Sequence, residues 1–215
     1  MAKVHPNGAV APEPTISSGA AAEEQPPAVL TVWRKSLLFN CDGFTVFDAK
    51  GDLAFRVDCY GSSRRRAEVV LMDVAGKPLL TVRRKRLSLL GEHWVIYDGD
   101  AAEHKSSKPL LSVRRHVSLR ASSKTLAHVT PVASSTSAFV VEGSYGRRAC
   151  AVRDSRGDAV AEVRRKESVG DDVFRLVANP RLGAPLAVGL VIALDEMFAS
   201  GRGSPRSLLR RTWSA

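Results

Sequence analysis

An apolar run, then Asp, then Gly, then a second apolar run recurs along this chain. In "VFDAKGDLAFRV" (46–57), "LMDVAGKPLLTV" (71–82) and "VRDSRGDAVAEV" (152–163), Gly follows Asp by three positions and Val follows Gly by six. The segment "VIYDGDAAEHKSSKPLLSV" (95–113) starts and finishes alike around a longer loop. Asp-x-x-Gly is turn chemistry: the Asp carboxylate accepts from nearby backbone N–H groups, and Gly takes dihedrals that a Cβ resists. Each unit therefore predicts an antiparallel hairpin, with Asp48, Asp73, Asp98 and Asp154 as turn formers rather than catalytic carboxylates. Many short strands at this spacing predict a mainly β fold, a barrel or sandwich.

Period-two alternation assigns faces within the second strand of each unit. Leu80, Val82 and Arg84 share one side, as do Leu111, Val113 and Arg115, and Ala161, Val163 and Arg165. These sets predict an inner face whose last residue reaches the barrel mouth. Arg83, Arg114 and Arg164 are then expected to face solvent.

One segment breaks the β pattern. "PLAVGLVIALDEMF" (185–198) has Pro185 where a helix can begin and is apolar on every side as far as Asp195 and Glu196. A helix of that length spans about 20 Å, short of the roughly 30 Å of a hydrocarbon core, so it is expected to be buried in protein and not to cross a membrane. Gly189 inside it predicts a close backbone approach to a surrounding strand. Asp195 and Glu196 sit at the helix's negative end and call for compensating cations, for which the rim arginines are the candidates.

The ends differ in composition. Residues 1–28 are rich in Ala, Pro, Gly, Ser and Glu, which predicts a disordered segment. A barrel domain is expected over 29–199, and 200–215 forms a basic tail. The whole chain has 215 residues and a net charge of +10. That excess favours an anionic partner: acidic lipid, nucleic acid or an acidic protein face.

Little in the chain points to catalysis. It carries no GxSxG elbow, HExxH pair, phosphate-binding Gly-rich loop or GxGxxG. Cys41, Cys59 and Cys150 are far apart, so buried reduced thiols are expected, and the five histidines show no metal-ligand spacing. No catalytic residue, metal or cofactor is assigned. Lacking a secretory-type N-terminus, the protein is expected to be intracellular and cytoplasmic, with the peripheral plasma membrane and the nucleus as further locations; "RRKR" (83–86) has the composition of an import signal. The candidate anion- or lipid-binding residues are Arg64, Arg65 and Arg66, which rank first as a loop run, with Arg83, Arg114, Arg147, Arg148 and Arg164.

Several blocks, in order, carry a family resemblance: "VWRKSLLFNCDGFTVFDAKGDLAFRVDCY" (32–60), "LMDVAGKPLLTVRRKRLSL" (71–89), "VVEGSYGRRACAVRD" (140–154), "GDDVFRLVANP" (170–180) and "LAVGLVIALDEM" (186–197). Over about residues 29–199 the chain resembles the plant LURP-one-related family. The resemblance implies a closed antiparallel β-barrel around a buried C-terminal α-helix, the architecture of the tubby C-terminal domain and the phospholipid scramblases. It also implies a non-enzymatic module in plant defence or stress signalling, by analogy membrane-tethered and transcription-factor-like, that binds anionic phospholipid or phosphoinositide. Nucleic-acid binding and scramblase-like lipid transport are the alternatives, and a protein partner is left open.

Overall fold

The computed structural model describes residues 25–37, 42–59, 68–85, 91–100, 108–118, 123–132, 138–166, 170 and 172–198. Arg64, Arg65 and Arg66, Cys41, and most of both terminal segments lie outside the described residues. The strands are β1 (Ala28–Trp33), β2 (Asp42–Phe47), β3 (Leu53–Cys59), β4 (Glu68–Asp73), β5 (Pro78–Arg84) and β6 (His93–Asp98), followed by β7 (Pro109–Arg115), β8 (Thr125–Pro131), β9 (Phe139–Ser144), β10 (Ala149–Arg153), β11 (Ala159–Arg165) and β12 (Val173–Ala178). Helix α1 (Ala184–Phe198) follows. Each strand pairs antiparallel with its sequence neighbours, and β1 closes on β12 through a register running from Ala28↔Ala178 to Trp33↔Val173. The result is a closed barrel, which leaves no unpaired sheet edge.

The repeated units are hairpins, as their turn chemistry predicts. Asp48 Oδ1 accepts from the backbone N–H groups of Lys50 and Asp52, and Asp154 Oδ1 from those of Arg156 and Asp158. Asp73 Oδ1 accepts from Lys77 N. Gly51, Gly76 and Gly157 take φ values of 92°, 87° and 89°, where a side chain would be strained. All four units also share a bulge in the strand after the turn, where Ala54, Leu79, Leu110 and Val160 are the extra residues opposite Val46/Phe47, Leu71/Met72, Ile96/Tyr97 and Val152/Arg153. Such bulges bend and twist a strand, which helps the sheet curl shut.

Helix α1 fills the interior. Every residue from Ala187 to Asp195 is buried, and inward residues such as Val32, Leu71, Val82, Ile96, Val113 and Leu176 pack around them. Gly189 marks a close approach of the helix backbone to the wall: a Cβ there would lie 3.3 Å from Leu80 Cδ1 and 3.4 Å from Ile96 Cδ1. No helix among the described residues is long and apolar enough to cross a membrane.

Candidate functional site: a basic rim

Antiparallel order sends every odd-numbered strand to the same end of the barrel. Since β5, β7 and β11 each finish on Arg-Arg, their cations gather at one rim, with Arg34 and Lys35 after β1 and Arg147 in the β9–β10 turn. The Asp-x-x-Gly turns occupy the opposite rim. A sequence in which charges alternate thus folds into a molecule with a cationic end.

The register agrees with the alternation. Leu80, Val82, Leu111, Val113, Ala161 and Val163 are buried, and the cation that ends two of these rows reaches over the barrel mouth. Arg84 pairs with Glu92 at 3.4 Å. Arg115 pairs with the same carboxylate at 3.4 Å, donates to the Met197 carbonyl at the end of α1, and lies over the Phe198 ring. A cation at a helix C-terminus offsets the partial negative charge there. Arg165, which ends the third row, is exposed.

The charge compensating Asp195 comes from elsewhere. Arg34 Nε lies 3.0 Å from Asp195 Oδ1 and donates to Oδ2 at 3.2 Å, while its Nη1 reaches Asp172 at 3.2 Å. Tyr145 Oη donates to Asp195 Oδ1 at 3.1 Å, and Arg148 Nη1 lies 3.8 Å away. Burial alone would lower the Arg34 pKa, but Asp195, with Tyr145 and Asp172, raises it, so the guanidinium stays charged. Burial, with Asp195 next, pushes the Tyr145 phenol well above its ordinary value, so it is a neutral donor.

Arg148 is therefore not a surface cation. Its side chain is 6% exposed and its guanidinium packs over the Tyr145 and Phe174 rings at 4.6 and 4.3 Å. Arg148 also has a φ of 54°, unusual for a residue with a Cβ. The tight turn closed by Arg148 N–H to the Tyr145 carbonyl, at 3.0 Å, aims it inward. A candidate anion contact in the sequence is thus an internal counter-ion, because turn geometry rather than residue type decided its direction.

Ion pairing divides the remaining candidates. Arg83 is bound by Glu68 at 2.6 Å and lies 5.5 Å from the centre of the Tyr97 ring, and Arg164 is bound by Glu162. Arg114 and Arg147 are exposed and, among the described residues, have no hydrogen bond or ion pair. Arg175, which pattern reasoning did not single out, is in the same state on the outer face of β12. Its signal was visible only as the polar member of an alternating strand.

Other groups came together unforeseen. His116 Nδ1 and His128 Nε2 lie 3.0 Å apart across β7 and β8, although twelve positions separate them. Among the described residues no three potential metal ligands cluster. His93 is buried beside Ser112 Oγ at 2.8 Å, and burial, then Arg114 and Lys85, push its pKa below the usual value. The Cys150 thiol is buried too, its pKa pushed up to about 12, which makes it a poor nucleophile. A groove of about 410 Å³ runs over Ala149 and Ala151; Arg153–Glu142 and Arg164–Glu162 pairs neutralise most of its wall, and Lys124 adds one further cation.

A closed twelve-stranded antiparallel barrel plugged by its own C-terminal helix is the tubby-like class of architecture. The profile described as LURP-one-related matches residues 28–195, and the chain belongs to that family. It is 43% identical over 208 residues to Protein LURP-one-related 8 of Arabidopsis thaliana, covering 93% of this chain and all of that protein. It is 42% identical to Protein LURP-one-related 5 of the same plant, over 79% of this chain and 82% of that one. An Arabidopsis thaliana protein of known crystal structure superposes with a TM-score of 0.57 at 23% identity, covering 79% of this chain and 90% of that chain, a likeness of fold.

Proposed function

We propose that the protein is a non-enzymatic module that docks on anionic membrane lipid, phosphoinositides included, through the cationic rim of its barrel, and so serves plant defence or stress signalling at the membrane periphery. The observation that carries this reading is the collection of cations at one end by strand parity, some of them, such as Arg114 and Arg147, without an acidic partner among the described residues. Arg64, Arg65 and Arg66 lie outside the described residues, in the segment between β3 and β4, and remain candidates by their sequence alone. Each basic residue near an anionic surface contributes about 1 kcal/mol, roughly fivefold in affinity, so such a rim supports reversible recruitment.

Co-sedimentation of the full chain with vesicles of phosphatidylcholine alone, or with phosphatidylserine or a phosphoinositide added, tests it. Binding to the acidic vesicles is expected, weakening as salt shortens the Debye length from about 10 Å at 0.1 M towards about 3 Å at 1 M. An R114E/R147E variant is expected to bind at least roughly 25-fold more weakly, and R64A/R65A/R66A to lose affinity in proportion. Indifference to lipid charge, or equal capture by duplex DNA, would refute headgroup recognition.

A further inference from the structure

Cations alone place a protein above a bilayer; entry into it needs apolar groups on the same surface. At the basic rim Val117 is exposed after β7, and a larger pair of such groups stands together after β1. Trp33 ends β1 pointing outward and is 37% exposed, and Leu37, four residues on, is 55% exposed. Lys35 Nζ lies 5.5 Å from the Trp33 ring centre, so its alkyl stem and charge accompany the indole. Trp and Lys together suit the lipid–water boundary, the ring among carbonyls and the ammonium towards phosphate.

The adjoining strand supplies a second cation in an unusual position. Arg175 on β12 stands opposite Thr31 of β1 on one side and opposite Arg164 of β11 on the other. Two like charges directly across a strand pair destabilise it. Arg164 has Glu162 to offset its charge, whereas Arg175 has no hydrogen bond or ion pair among the described residues. An anion brought from outside would relieve the repulsion. By register, Arg175 is a diagonal neighbour of Trp33, which faces Val173 on the same strand.

We infer that the β12–β1 side of the basic rim enters the bilayer interface, with Trp33 and Leu37 seated among lipid carbonyls and upper acyl chains and Lys35 and Arg175 on headgroup phosphates. This rests on the membrane-docking reading above and gives it an orientation: the barrel leans towards the membrane on this side.

Tryptophan quenching by brominated lipid tests it. Of the three tryptophans, Trp94 is buried at 2% exposure and serves as an internal reference, and Trp213 is removed by W213F in the full chain. On phosphatidylserine vesicles brominated near the carbonyl end of the acyl chains, W213F emission is expected to be quenched and W33F/W213F emission spared. W33A/L37A should bind about tenfold more weakly, the worth of partly burying two large apolar side chains, while W33F keeps most of the affinity. R175E should lose at least about fivefold. If W213F sediments with these vesicles yet is quenched no more than W33F/W213F, docking survives and insertion of this side is overturned, leaving Trp33 to a protein partner. If W213F does not sediment, both fall.

Discussion

Asp195 is the residue on which the interior depends. It is buried at the end of a helix with no basic residue in its last turn, and its charge is held by Arg34, which follows β1, and by Tyr145 and Arg148 of the β9–β10 turn, two places distant from it in the chain. Asp195→Asn keeps the shape and removes the charge that Arg34 and Arg148 face. A loss of about 3 kcal/mol or more is expected in urea unfolding, the scale for breaking a buried ion pair by neutralising one partner. Unchanged stability would mean that the cluster contributes nothing net. That Asp195 needed a cation was legible, because a carboxylate at a helix C-terminus is unfavourable; which cation was not. The Arg-Arg strand ends were the natural candidates, yet Arg84 and Arg115 turn to Glu92, and Arg148 reaches inward by a left-handed backbone conformation with no sequence signature outside Gly and Asn.

The element-level plan was the most legible. Turn residues act within four positions, so Asp48, Asp73 and Asp154 do locally what their spacing predicts; the strands alternate except where neighbours are buried in succession, as at Leu80, Thr81 and Val82 of β5. The shared bulge after each turn has no signal in the sequence, because an extra residue in one strand shows only against its partner. Gly189 marks, as its place in an apolar helix predicts, a close approach of the helix backbone to the wall, made by the Leu80 and Ile96 side chains of β5 and β6. Gly189→Ala should leave stability within about 1 kcal/mol, since better helix propensity offsets the tight fit. Gly189→Leu should cost more than about 2 kcal/mol by overpacking, measured by the same unfolding. Tolerance of leucine would show that α1 does not pack tightly against the inner face of β5 and β6.

At the scale of the molecule the barrel and the helix are one unit. Nine consecutive residues of α1 are buried inside a wall of strands whose inward side chains have no other filling. A chain ending at Gly183 is therefore expected to lose its cooperative thermal transition and to bind a hydrophobic dye, as an expanded barrel would; a retained sharp transition would show that the wall closes on itself. The same scale governs function, because a cationic end is a property of closure and parity rather than of any segment. The sequence by itself determined the hairpins, the strand faces, the buried helix and the excess of arginine, all of which follow from chemistry within a few residues. Tertiary structure alone decided which arginines meet an acid, which is turned inward, and which, with Trp33, remain at the surface. Ion pairing depends on distances between strands far apart in the chain, and local pattern carries no information about them.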